Sequence, residues 1–263
     1  MTTKHLSILM YHQVGIFSPM RSHRANYCDA GRFRRQMAFL ARGGFRILSL
    51  DQALAGLRGE RLLPAHGVVL TFDDAYANFL EHALPVLQAH GFPGVVYAIS
   101  DWLGRRMTWA TAEPGRLEPA LMTAAQLRAL QAMGITVGSH GATHAKLGEL
   151  SPDAQRRELS DSRKALQDAL GTDVTHLCYP FGSFDRSTVE LAGEVGYVSA
   201  TTCLRGAATP ADHPLVLPRK AISFGDNLLG FGWKLWFKHA PKPALRGWRE
   251  AQFKVRNLRG PSP

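Results

Sequence analysis

Gly67-Val68-Val69-Leu70-Thr71-Phe72-Asp73-Asp74 is an apolar, β-branched run that stops at two carboxylates. A run of this length with polar residues at its end reads as a buried parallel strand, with the acids just past its C-terminus. A second stretch has the same form: Gly134-Ile135-Thr136-Val137-Gly138 leads into Ser139-His140-Gly141-Ala142-Thr143-His144. The two clusters offer two carboxylates and two imidazoles. That set can bind a divalent metal through His, His and Asp, with one Asp left over as a base. Three protein ligands and an open position make a hydrolytic metal site.

Outward from these segments, strand-like runs alternate with helical patterns. Strands are expected at 7–10, 45–48, 67–72, 94–99, 135–138, 175–179 and 197–201, with a last short one at 215–217. Helices are expected at 32–41, 49–57, 75–90 with a kink at Pro85, 123–133, 151–170 and 185–195. Thr123 and Gln126 form a capping box, and Ser151-Pro152 supplies a favoured N-cap and N1 pair. No GxGxxG or GxxxxGK[ST] interrupts the alternation. Repeated βα units argue for a parallel sheet covered by helices. Polar clusters at strand C-termini favour a closed barrel, where active sites are built at that end.

The 263 residues suffice for one such barrel, and 45% hydrophobic with 20% charged residues fits a globular chain. Cys28, Cys178 and Cys203 are too few and too irregular for a disulfide framework and fit a reducing compartment. The N-terminus turns polar too quickly for a signal-peptide core, and no run reaches membrane-span length. A cytoplasmic location is expected. The net charge of +10 is uneven: beyond Gly230 there are eight basic residues and one acid, Glu250. The remainder is close to balanced, so nucleic-acid binding is not expected.

A third cluster, Cys178-Tyr179-Pro180-Phe181-Gly182-Ser183-Phe184-Asp185, also follows a strand. With it the chain resembles the polysaccharide deacetylases of the NodB-homology type, carbohydrate esterase family 4. Thr71-Phe72-Asp73-Asp74 matches that family's first motif, His140 to His144 its H-[ST]-x-x-H, and Tyr179-Pro180-Phe181-Gly182 the core of its R-x-P-[YF]. Leu9-Met10-Tyr11-His12-Gln13-Val14 is similar to the start of one bacterial subgroup. The resemblance spans roughly residues 6–223.

It implies a distorted (β/α)7 TIM-like barrel of the glycoside hydrolase/deacetylase type. It also implies metal-dependent removal of an N-acyl, usually N-acetyl, group from an amino sugar. By the matching positions Asp74, His140 and His144 hold the metal, Asp73 is the base, and the Phe181 N–H joins in stabilising the oxyanion. Zn2+ suits two imidazoles and a carboxylate, with Co2+ or Ni2+ as alternatives. Three departures stand out. Gly141 replaces a loop-holding Ser or Thr. Cys178 replaces the arginine that pairs with the base, and Arg219 is the candidate to supply that guanidinium from another strand end. The family's L-x-H motif, which carries the general acid, has no clean match, leaving His12 and His213 as candidates, His12 the better placed.

Tyr179, Pro180 and Trp109 are candidate substrate contacts; Trp102 and Trp109 lie on the long irregular stretch 101–121. Residues 1–229 are expected to form the barrel and 230–263 a basic, aromatic extension. Its interleaved Trp, Phe, Lys and Arg over 231–259 suit either an anionic membrane surface or a segment packed on the barrel. The substrate is expected to be an amino-sugar polysaccharide, oligosaccharide or lipid-linked precursor. The alternatives are a C–N hydrolase acting on a small non-sugar amide, and a carbohydrate-binding or assembly protein with a relic site.

Overall fold

The apolar runs form parallel strands because each is buried on both faces, inside by its neighbours and outside by helices. The computed structural model describes residues 5–19, 23–109, 118–237 and 239. Its strands are β1 (Leu6–Tyr11), β2 (Gln13–Gly15), β3 (Tyr27–Asp29), β4 (Arg46–Ile47), β5 (Gly67–Phe72), β6 (Gly94–Ala98), β7 (Ile135–Ser139), β8 (His176–Cys178), β9 (Ser199–Arg205) and β10 (Leu217–Ala221). Its helices are α1 (Ala30–Arg42), α2 (Leu50–Leu57), α3 (Asn78–His82), α4 (Leu84–His90), α5 (Ala124–Ala132), α6 (Pro152–Leu170), α7 (Arg186–Val195) and α8 (Leu228–Trp236). Strand order is β1-β10-β9-β8-β7-β6-β5, and β5 pairs back onto β1 from Leu6↔Gly67 to Tyr11↔Phe72. Seven parallel strands therefore close a distorted (β/α)7 barrel, the architecture the family resemblance implied. β4 pairs only with the first residues of β5, and β2 with β3 forms a separate two-stranded ribbon.

Strand alternation sorts the side chains into two cores. Ile8, Val69, Val95, Tyr97, Cys178 and Leu217 belong to one cluster, completed by Leu50, Ala53 and Leu54 of α2. Leu9, Tyr11, Leu70, Phe72, Val96 and Val137 face the other way, onto the helices that carry Phe33, Met37, Phe79, Leu87 and Leu127. Thr71 and Asp73 continue the phase of Val69, and Arg219 that of Leu217. The same two-residue period that fills the barrel thus delivers a carboxylate and a guanidinium to its mouth.

Local chemistry sets the helix ends. Ser49 with Gln52 and Thr123 with Gln126 form capping boxes, while Ser151 caps α6 and Gly171 ends it at φ 72°. The helix expected over 75–90, kinked at Pro85, is two helices. Asp74 and Ala75 hold φ of 71° and 53°, which delays the start to Asn78. Pro85 lies in the first turn of α4, where a proline is tolerated, and the chain breaks before it. The last strand is not 215–217 but β10, and it carries Arg219.

The expected division at 229/230 falls inside α8. Phe231 and Leu235 are buried in the outer core, and the Phe231 ring meets Phe39 of α1 edge-on at 6.0 Å. Trp233 and Phe237 are exposed. Residues 240–259, most of the stretch expected at an anionic membrane, lie outside the described residues. Among the described residues no helix is long and apolar enough to cross a membrane.

Lys220, next to Arg219, is buried. Its Nζ donates to Ser7 Oγ at 2.9 Å and to the Lys234 carbonyl of α8 at 2.7 Å, and lies 3.3 Å from His239 Nδ1. None of these partners is a carboxylate, and burial lowers its pKa to about 7. An unfolded lysine titrates near ~10.4. Between these values the unfolded chain binds more protons than the folded one, so stability rises with pH. We predict that urea unfolding shows stability increasing from neutral pH toward pH ~8, below the range in which the unfolded thiols of Cys28 and Cys203, raised in the fold by burial, lose their protons. Lys220→Met should remove most of that slope and stabilise the protein at neutral pH.

Candidate active site

Asp73 lies at the C-terminal mouth of the barrel, its N–H bonded to the Tyr11 carbonyl at 2.9 Å. Its carboxylate is clamped by Arg219: Nη1 donates to Oδ1 and Nη2 to Oδ2, both at 2.7 Å. The guanidinium is fully used. Nε donates to the Thr202 carbonyl at 2.9 Å, Nη1 also to Thr71 Oγ1 at 3.0 Å, and Nη2 also to Cys178 Sγ at 3.1 Å. All five N–H groups of a buried arginine thus have acceptors. Burial pushes the Asp73 pKa up, but the charge and hydrogen bonds of Arg219, with a smaller effect of His12, hold it below the usual carboxylate range. Arg219 and Cys178 therefore meet at Asp73, the first from β10 and the second from β8.

Asp74 points elsewhere. Its Oδ1 lies 3.3 Å from His140 Nε2 and 3.3 Å from His144 Nε2, yet receives no aligned hydrogen bond. His140 Nδ1 lies 2.7 Å from the Cys178 carbonyl, a contact that requires the proton on Nδ1, so that the neutral ring turns its Nε2 lone pair toward Asp74. Three acceptor atoms then converge on one point, and all three residues are buried. The arrangement fits a divalent cation, which supplies the positive charge that these atoms lack.

Asp73, His140 and Cys178 also bring potential ligand atoms together. That second set is already served by the Arg219 guanidinium. A metal ion there would set two cations against each other, whereas the Asp74 set has no cation of its own. Of the two sets, Asp74, His140 and His144 is therefore the one whose chemistry fits a divalent cation.

Aromatic rings frame the mouth. Phe181 is half exposed and its ring lies 4.5 Å from that of His144, against which Trp109 also packs at 4.7 Å. Trp102 meets Trp109 edge-on at 5.2 Å and packs with Tyr76, Met107 and Leu121. Four of the five described non-glycine residues with positive φ are Asp74, Ala75, His144 and Phe181. Such conformations cost of order 1–3 kcal/mol each and persist where the surroundings over-determine them.

Two expected substrate contacts are corrected. Tyr179 is fully buried, stacks on Phe184 at 4.8 Å and donates its hydroxyl to the Leu215 carbonyl at 2.9 Å. It follows the inward-facing Cys178, so alternation turns it away from the mouth. Pro180 is buried, with its Cγ 3.4 Å from where a Cβ on Gly141 would sit. His12 Nε2 lies 3.8 Å from Asp73 Oδ2. His213 precedes β10 and so lies at the end of the barrel opposite Asp73; its Nδ1 accepts from the Leu215 N–H at 3.2 Å.

The sequence motifs did not mark Glu158 of α6. It accepts hydrogen bonds from Ala142 N–H at 2.9 Å, Thr143 N–H at 3.0 Å and Thr143 Oγ1 at 2.6 Å. Nor did they mark Ser139, whose Oγ accepts from Gly141 N–H at 3.2 Å and lies 2.8 Å from Ser162 Oγ. Gly141 offers no hydroxyl to this loop.

A sequence model of the polysaccharide deacetylase family matches residues 62–200. The protein "Putative polysaccharide deacetylase YxkH" of Bacillus subtilis (strain 168) is 26% identical over 227 residues, 86% of this chain and 75% of that protein. A poly-beta-1,6-N-acetyl-D-glucosamine N-deacetylase of Escherichia coli (strain K12) is 39% identical over 70 residues, 27% of this chain and 10% of that protein. The Streptococcus pyogenes deacetylase PplD, solved in complex with acetate, superposes with a TM-score of 0.77 at 25% identity, covering 89% of this chain and 99% of that one. The chain belongs to the polysaccharide deacetylase family.

Removing one partner of the clamp would leave a buried carboxylate uncompensated. We predict that Arg219→Leu lowers the unfolding free energy at neutral pH by about 3–5 kcal/mol. The double variant Arg219→Leu, Asp73→Leu should recover part of that loss in urea denaturation. A single variant as stable as wild type would show that the clamp does not hold the barrel mouth together.

Proposed function

We propose that the chain is a metal-dependent hydrolase that removes an N-acetyl group from an amino sugar. One observation carries this reading. An acceptor triad, Asp74, His140 and His144, lies beside a separately neutralised carboxylate, Asp73, at the C-terminal mouth of the barrel. The family and the partial match to a poly-N-acetylglucosamine deacetylase support the substrate class.

Asp74, His140 and His144 would hold the cation, with Zn2+ the best match to the donor types. A divalent ion bound there acidifies water and polarises an amide carbonyl. Asp73 is assigned to take the proton of the attacking water. Its depressed pKa keeps it ionised at neutral pH, and Arg219 fixes the orientation of its two oxygens. The N–H of Phe181 is assigned to the oxyanion, since Pro180 has none to give. His12, within 3.8 Å of Asp73 Oδ2, is assigned to protonate the departing nitrogen. Water and amide then yield acetate and a free amine. Trp109 and Phe181 present ring faces for the C–H surfaces of a sugar.

The test is acetate release from N-acetylglucosamine oligomers by zinc-loaded protein. Asp73→Asn should lower kcat by about 10²–10⁴ with metal content unchanged. Dipicolinate should abolish release and added zinc restore it. Equal turnover by Asp73→Asn and wild type would refute the assignment of the base.

A further inference from the structure

We infer that Glu158 is a positioning residue whose carboxylate holds the His140–His144 loop in the shape that aims both imidazoles at Asp74. The inference rests on the metal-site reading given above and adds a residue that contributes no ligand atom to it.

The loop leaves β7 at Ser139 and must place two imidazoles on one point within five residues. Its own chemistry does not favour that shape. Gly141 has φ 77° and His144 φ 68°, and His144 lacks the freedom of glycine. Contacts on both flanks hold it. On one flank its carbonyls are taken by the chain after β6: Ser100 N–H bonds the Gly141 carbonyl at 3.3 Å and Asp101 N–H the Ala142 carbonyl at 3.1 Å. On the other flank its amides are free to turn outward, and Glu158 takes them. Oε2 accepts the N–H groups of Ala142 and Thr143, and Oε1 accepts the Thr143 hydroxyl.

The residue at 141 is matched to this contact. A Cβ at Gly141 would lie 3.3 Å from Glu158 Oε2. A glycine lets the carboxylate approach the backbone closely, so one acidic side chain performs the anchoring expected of a hydroxyl at 141. Charge-assisted hydrogen bonds of this kind are stronger than neutral ones. Groups that orient metal ligands typically change metal affinity by 10–100-fold. Glu158 is also independent of the Arg219 clamp, which acts on Asp73.

The experiment is a zinc titration of the metal-free full chain, competed against a calibrated chelator. It compares wild type, Glu158→Leu, Glu158→Gln and Glu190→Ala, alongside the Tm of each metal-free protein. Leu removes the acceptors while filling the space. Gln keeps one oxygen for the two N–H groups, and its amide can donate to the Thr143 hydroxyl. Glu190, paired with Arg186 on the exposed face of α7, is the control. The expected result is zinc affinity weakened about 10–100-fold in Glu158→Leu and retained within about threefold in Glu158→Gln and Glu190→Ala. Zinc binding by Glu158→Leu as tight as wild type would overturn the inference. So would a Glu158→Gln protein that is folded, with wild-type Tm, but as weak as the Leu variant. If Glu158→Leu does not fold, Glu158→Ala takes its place, with the same weakening expected and wild-type zinc affinity overturning the inference. If wild type itself binds no zinc, it is the metal-site reading that fails, and the two failures are distinct.

Discussion

The buried pair between Arg219 and Asp73 is the constraint on which the rest of the site depends. A guanidinium at the centre of a barrel is tolerable only if each donor finds an acceptor and its charge finds a counter-charge. Here the acceptors come from three strands or their ends, Thr71 and Asp73 from β5, Cys178 from β8 and Thr202 from β9, with Arg219 itself on a fourth, β10. The pair therefore ties together the strands whose ends build the mouth. It also keeps a carboxylate ionised where burial alone would protonate it.

Neutralising Asp73 has a second effect, on Asp74. Two adjacent carboxylates in one cavity would repel if both were left bare. Arg219 removes one of them from that account, and the left-handed turn at Asp74 and Ala75 swings the other toward the imidazoles. The outcome is a division of labour between neighbours in sequence: one acid with a permanent cation, one acid with room for an exchangeable cation. Backbone strain follows the same division. Asp74, His144 and Phe181 all hold positive φ at the mouth.

Much of this was legible in the sequence, for identifiable reasons. β-Branched runs ending in Asp-Asp or His-x3-His announce strand ends, and cap residues such as Ser49, Thr123 and Ser151 announce helix starts. Arg219 was legible only as a candidate, because the register shift between Leu217 and Arg219 against β9 leaves no trace in local pattern. The run Leu215–Leu217 ended too early because Pro218 and two basic residues do not read as strand. Glu158 looks like one more charge on the polar side of an amphipathic helix, and nothing local tells it from Glu190. Tyr179 could have been excluded: with Cys178 facing inward, a period of two turns its neighbour out. The helix break after β5 could not, since Asp74 and Ala75 are not residues that announce positive φ.

The central claim is that the cation belongs to Asp74, His140 and His144 rather than to the overlapping set Asp73, His140 and Cys178. The most direct test is anomalous scattering at the zinc edge from crystals of the full chain grown with zinc. The account predicts one peak at coordination distance from Asp74 Oδ1, His140 Nε2 and His144 Nε2, with the Arg219–Asp73 pair intact. A peak bonded to Cys178 Sγ and Asp73, or no peak at the mouth of the barrel, would contradict it.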